Sequence, residues 1–157
     1  MLAEQHFVVD ASVAIKWYLR DEEYMDKAAN LLLDFAQGKN YLLAPSFIQY
    51  EVANAVNVAR RRGRLVDEVA RECVEDFLSL GLHLAYDSDL ILSAFDFSSQ
   101  LGIAFYDALY LTLAENLSLP LITADKELYE YLRDKMPCMM WVGDYERINS
   151  GKKRRNQ

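Results

Sequence analysis

The segment HFVVDASVAIKWYL, residues 6–19, decides the fold. Phe7, Val8 and Val9 read as a buried strand that ends on a carboxylate, Asp10, with Ala11, Ser12 and a helical stretch directly behind it. A charge where a core strand surfaces has two uses. Asp10 either caps the following helix or forms one wall of a charged site.

Outward from this segment the chain alternates between strands and helices. NYLLAP (40–45), LHLAY (82–86), LPLITA (119–124) and CMMWVG (138–143) are short apolar runs of strand type. Between them lie helical patterns. In residues 46–63, Ile48, Val52, Ala55, Val56 and Ala59 form one apolar stripe, with Ser46 as the expected cap. In residues 66–81, Val69, Cys73, Val74, Phe77 and Leu78 are expected to face inward. Strands separated by helices pair in parallel, which predicts a three-layer α/β/α domain with a sheet of about five strands.

Composition sets the frame for function. With 157 residues, 52% of them hydrophobic, the chain can bury a full core, and a single domain over residues 1–150 is expected. A basic, disordered tail, GKKRRNQ (151–157), would follow it. Cys73 and Cys138 are far apart, with no CxxC and no paired histidines, and read as buried thiols of a reducing compartment. No apolar run approaches the roughly 20 residues that a membrane span needs. The first residues lack the basic and apolar regions of a signal peptide, so a cytoplasmic protein is expected. The net charge of −7 argues against a nucleic-acid partner, yet the charge is uneven. Arg60, Arg61, Arg62 and Arg64 form a run that could hold a phosphate backbone, or could be no more than a solvated helix end.

In parallel sheets the working site lies outside the carboxyl ends of the strands, where the strand order reverses. Asp10 ends the first strand and Asp125 directly follows LPLIT. If those strands are neighbours, both carboxylates open on one crevice. Glu51, early in the helix after NYLLAP, and Asp107, near the start of ALYLTLAENL, are placed to join them. Two unit charges 4 Å apart repel by about 4 kcal/mol at an effective dielectric of 20, so such a cluster calls for a cation. Oxygen-only ligands suit Mg²⁺ or Mn²⁺, and the matching chemistry is metal-assisted phosphodiester hydrolysis.

VVDASV (8–13), Glu51 within PSFIQYEVANAV (45–56) and FYDALYLTLAENLSLPLITADKEL (105–128) resemble the PIN domain, in the small single-domain form of VapC-type toxins. The resemblance runs from about Phe7 to Trp141 and implies a ribonuclease, the toxin of a type II toxin–antitoxin pair. It places Asp10, Glu51, Asp107 and Asp125 on the family's acidic quartet, as catalytic residues and Mg²⁺ or Mn²⁺ ligands. Ser12 and Thr123 fall on its hydroxyl positions, as supports of those carboxylates. It also implies an RNA substrate, a homodimer, and an antitoxin segment lying in a groove near Trp17, Tyr18, Leu19, Tyr24 and Met25. The arginine run at 60–64 would flank the RNA channel. Other strand-end acid sites fit less well. A phosphate-receiver domain needs an adjacent acidic pair at the first strand end, and a haloacid-dehalogenase phosphatase needs Asp-x-Asp where this chain has Ser12. The remaining alternative is a PIN-fold module that binds RNA or protein without catalysis.

Overall fold

The computed structural model describes residues 4–20 and 23–149; the tail expected at 151–157 lies outside them. Five strands, β1 (Gln5–Val9), β2 (Asn40–Pro45), β3 (His83–Ala85), β4 (Leu121–Thr123) and β5 (Met139–Trp141), form one sheet in the order β3-β2-β1-β4-β5. All four pairings are parallel. The helices are α1 (Ala11–Ile15), α2 (Met25–Ala36), α3 (Ile48–Arg61), α4 (Asp67–Ser79), α5 (Ser88–Leu101), α6 (Phe105–Leu117) and α7 (Lys126–Leu132). This is the expected three-layer α/β/α architecture. From β1 the chain builds one half of the sheet through β2 and β3, then returns to build the other half on β1's opposite edge. The strand order therefore reverses between β1 and β4, whose register pairs Val8 with Leu121 and Val9 with Ile122.

Burial follows the strand and helix periods. Val8, Val9, Leu42, Ala44, Leu121 and Ile122 are fully buried, as strands covered on both faces require. On α3, Ile48, Val52, Val56 and Ala59 are buried at helical spacing. Helix α6 is apolar all round: every residue from Ala108 to Ala114 is buried, because the helix packs on α5 and against β1, β2 and β4.

Three local expectations change. On α4 only Ala70 and Phe77 are buried, while Val69 and Leu78 are exposed and Cys73 and Val74 are half-buried. The reason is that α4 packs mainly on α3, outside the sheet, and a helix in an outer position buries a narrow stripe. Ser46 does not cap α3; Phe47 holds that position without a side-chain hydrogen bond, while the Ser46 amide donates to the Ala85 carbonyl. Both cysteines are free thiols but half-buried rather than buried.

A buried carboxylate ties the end of the fold to α2. Asp34 is fully buried and accepts from the Tyr145 hydroxyl at 2.7 Å, Arg147 Nε at 2.7 Å and the Ile148 amide at 2.9 Å. Burial pushes its pKa up, but these donors together hold it below the ordinary carboxylate value. The Tyr145 hydroxyl also accepts from the Asn40 amide, linking this knot to β2. Asp34→Ala would leave a buried hydroxyl and a guanidinium without their acceptor, and should cost about 2 kcal/mol or more. Urea unfolding measures that loss. Since the Asp34 pKa is lowered, its contribution is complete above the unfolded value near 4 and disappears as pH falls further, so the variant should also lose part of the acid-side fall in stability.

Candidate active site

Asp10 occupies the N-cap position of α1, but its side chain makes no capping hydrogen bond. Its amide donates to the Ile122 carbonyl, which sets the residue level with Thr123 on the neighbouring strand. Asp10 Oδ2 then accepts from Thr123 Oγ1 at 2.7 Å and from Ser12 Oγ at 2.7 Å. The two hydroxyls lie 3.3 Å apart. Each accepts in turn from the backbone: the Ala124 amide donates to Ser12 Oγ at 2.9 Å, and the Asp125 amide to Thr123 Oγ1 at 3.0 Å. One small polar network therefore joins the end of β1, the start of α1 and the β4–α7 turn. The Asp10 carboxylate is therefore held by these two hydroxyls and does not cap α1.

The other three acids come from helix starts. Asp125 is the N-cap of α7, where Oδ1 accepts from the Leu128 amide at 3.0 Å. Asp107 stands in the first turn of α6 and Glu51 in that of α3. Asp107 and Asp125 line one cleft of about 460 Å³, together with Leu128 and Tyr131. Glu51 Oε1 accepts from the Tyr110 hydroxyl at 2.7 Å. Nothing in the local sequence singles out Tyr110 as a site residue beyond its spacing: three residues after Asp107, it shares that residue's face of α6.

Three of these carboxyls are raised by burial and by neighbouring charge. Burial pushes the Glu51 carboxyl up to about 7, with the Asp10 and Asp107 charges adding to the effect despite the Tyr110 hydrogen bond. Burial pushes Asp107 up to about 6, helped by Asp10 and Asp125. Asp10, only 6% exposed, is also raised, chiefly by burial, with the Ser12 and Thr123 hydroxyls pulling against it. Such a cluster holds excess negative charge and offers only hard oxygen donors, a set suited to a divalent cation that prefers oxygen. Among the described residues, no three His, Cys, Asp or Glu side chains stand in a ready-made ligand arrangement. Asp10, Glu51 and Asp125 each commit an oxygen to a hydrogen bond within the protein.

The remaining candidates are placed elsewhere. Arg60 follows Glu51 by nine residues along α3, about 13 Å of helix rise at 1.5 Å per residue. Its Nη2 donates to Asn57 Oδ1, and its Nε lies 3.8 Å from Asp67. Arg61, Arg62 and Arg64 are exposed at the same far end. Near the α1–α2 junction, Leu19 is buried, and Trp17, Tyr18 and Met25 are half-buried. The Trp17 indole donates to the Ala28 carbonyl and the Tyr18 hydroxyl to Asp76. Of the large apolar groups expected to face a partner there, Tyr24 is the exposed one. No helix among the described residues is long and apolar enough to cross a membrane.

Comparison with known proteins bears on the family and the fold. The family model described as PIN domain matches residues 7–133. Ribonuclease VapC3 of Pyrobaculum aerophilum is 32% identical over 137 residues, covering 85% of this chain and 96% of the relative. The crystal structure of PAE2754 from the same organism superposes with a TM-score of 0.65 at 25% identity, covering 89% of this chain and 92% of the other.

The raised carboxyls set a pH dependence. Between their unfolded values near 4 and the folded values of about 6 and about 7, the folded protein holds protons that the unfolded chain has released. In chelator-treated buffer, stability from this site should be complete below about pH 4 and should fall as pH rises through about 7. Thermal melting across that range should show the slope in the parent chain. It should be nearly flat in Asp107→Asn/Glu51→Gln, and an equal slope in both would remove the coupling between these acids.

Proposed function

Since the chain belongs to the PIN domain family, in its single-domain VapC-type form, we propose that it is a metal-dependent endoribonuclease and the toxin of a type II toxin–antitoxin pair. The observation that carries this reading is the convergence of Asp10, Glu51, Asp107 and Asp125 at the strand-order reversal, with Asp10 gripped by two hydroxyls instead of capping its helix. Mg²⁺ or Mn²⁺ would be held by Asp10, Asp107 and Asp125, with Glu51 as a fourth ligand or as the group that orients the attacking water. When bound, the ion supplies positive charge against the phosphoryl oxygens and makes nearby water more acidic.

The chain's own groups do the rest. Ser12 and Thr123 fix the rotamer of Asp10, so that its orientation does not depend on the ion. Tyr110 does the same for Glu51. The proposal extends to a cytoplasmic homodimer whose two acidic clefts share a channel, with Arg60, Arg61, Arg62 and Arg64 holding the RNA backbone at its edge. A cognate antitoxin protein would occupy the groove near the α1–α2 junction on its Trp17 and Met25 side. A PIN-fold module that binds without catalysis is the competing reading, and a cleavage assay separates the two.

Asp10→Asn and Asp107→Asn should each reduce Mg²⁺-dependent cleavage of RNA by at least about 100-fold, while the folded state persists, since each removes one charge from a repelling cluster. Undiminished cleavage by both variants would rule out this site. Separately, Mg²⁺ or Mn²⁺ should raise the melting temperature, because the ion binds the folded site and not the unfolded chain. That rise should vanish in the Asp10→Asn/Asp107→Asn double variant. Charge reversal at Arg60, Arg61 and Arg62 should weaken RNA binding and flatten its salt dependence.

A further inference from the structure

Next to the carboxylates lies a second groove of about 500 Å³ that the proposed chemistry does not use. It meets the acidic cleft at the β4–α7 turn: Ala124 and Lys126 line it, and Asp125 between them lines the cleft. Tyr24, Tyr129 and Trp141 line it as well. Trp141 contacts the Tyr24 ring edge-on at 5.3 Å between centroids and the Tyr129 ring at 5.5 Å. Lys16, Lys126 and Arg133 line it too, against two acids, Glu23 and Glu130, on a chain whose net charge is −7.

Two backbone features hold this aromatic cluster in place. Tyr24 has φ +64°, a left-handed conformation that a bulky side chain adopts at an energetic cost. Behind the cluster, a Cβ at position 143 would meet Trp141 Nε1 at 2.6 Å and Tyr24 Cε1 at 2.8 Å, so only glycine lets the two rings approach as they do. Both features hold Tyr24 and Trp141 together at the wall of a groove that meets the acidic cleft. Tyr24 is 40% exposed.

We infer that this groove is a nucleobase subsite: it stacks one base of a single-stranded RNA on Tyr24, Tyr129 and Trp141 while an adjacent phosphate reaches the carboxylates. The inference rests on the ribonuclease reading and names part of its substrate, an unpaired strand, since a base inside a duplex has no free face to offer. The groove is of a size that takes a small ligand, and Lys126 and Arg133 on its wall suit a phosphate on the way to the cleft.

The test uses a labelled single-stranded oligoadenylate and the same strand with one abasic position, bound to the Asp10→Asn protein in Mg²⁺ so that it stays intact. Tyr24→Leu and Tyr129→Leu should each weaken binding of the full strand by about 10-fold, the range of a lost stacking platform. Tyr24→Phe and Tyr129→Phe should bind like the parent, because stacking needs the ring and not the hydroxyl. The abasic strand should bind the parent more weakly and the leucine variants no more weakly than the full strand does. Gly143→Ala, which displaces the rings without altering them, should reproduce the leucine effect. Leucine variants that bind the full strand as tightly as the parent overturn the subsite, and so does an abasic strand that binds the parent undiminished. A loss of affinity for a protein segment with RNA affinity unchanged would also overturn it, and would give the groove to a protein partner. If the protein with Asp10 restored cuts RNA in any of these cases, the ribonuclease reading stands and the subsite alone falls. If it neither binds nor cuts, both fall.

Discussion

The grip of two hydroxyls on the Asp10 carboxylate governs most of what lies around it. A carboxylate almost closed off from solvent at a strand end is costly unless its oxygens have donors. Ser12 and Thr123 meet that need, and they come from different elements. The same contacts therefore set the entry of α1, align β1 with β4 and shape the turn that carries Asp125. Local folding and site assembly are one event here. Replacing either hydroxyl by a methyl group would loosen the strand junction and the carboxylate together.

Around that junction the fold puts negative charge where the sheet order reverses, and among the described residues no lysine or arginine lowers the pKa of Asp10, Glu51 or Asp107. Four acids reach one region from β1, α3, α6 and the β4–α7 turn, and three of them are raised above their ordinary pKa values by burial and by one another. Stability alone would favour fewer charges. Clustered carboxyls with raised pKa values are more often found at functional sites than elsewhere on a fold.

Much of this was legible in the residues. The alternation of short apolar runs with amphipathic helices led to the parallel sheet, and the position of Asp10 and Asp125 after apolar strands led to the crevice between them. What was hidden depended on partners distant in sequence. Tyr110 looks like one more apolar helix residue until Glu51 is seen across from it, 59 positions earlier. The exposure of Val69 and Leu78 follows from α4 packing outside the sheet, and helix period alone does not distinguish an outer helix from an inner one. The Trp141, Tyr24 and Gly143 cluster joins the two ends of the chain, and nothing local in either end announces it.

The unequal surroundings of α6 and α7 give the site walls of different mobility. Asp107 rides on a helix with seven consecutive buried residues, whose amides are shielded on all sides and can exchange with solvent only when the core opens. Asp125 caps a helix of seven residues with only Leu128 and Leu132 buried, an element able to fray by itself. One jaw of the crevice is therefore anchored to global unfolding and the other to a local, inexpensive opening. A ligand that bridges the two would transfer part of the rigidity of α6 to α7, and deuterium uptake at Leu128 and Tyr129 would register its arrival without any chemistry taking place.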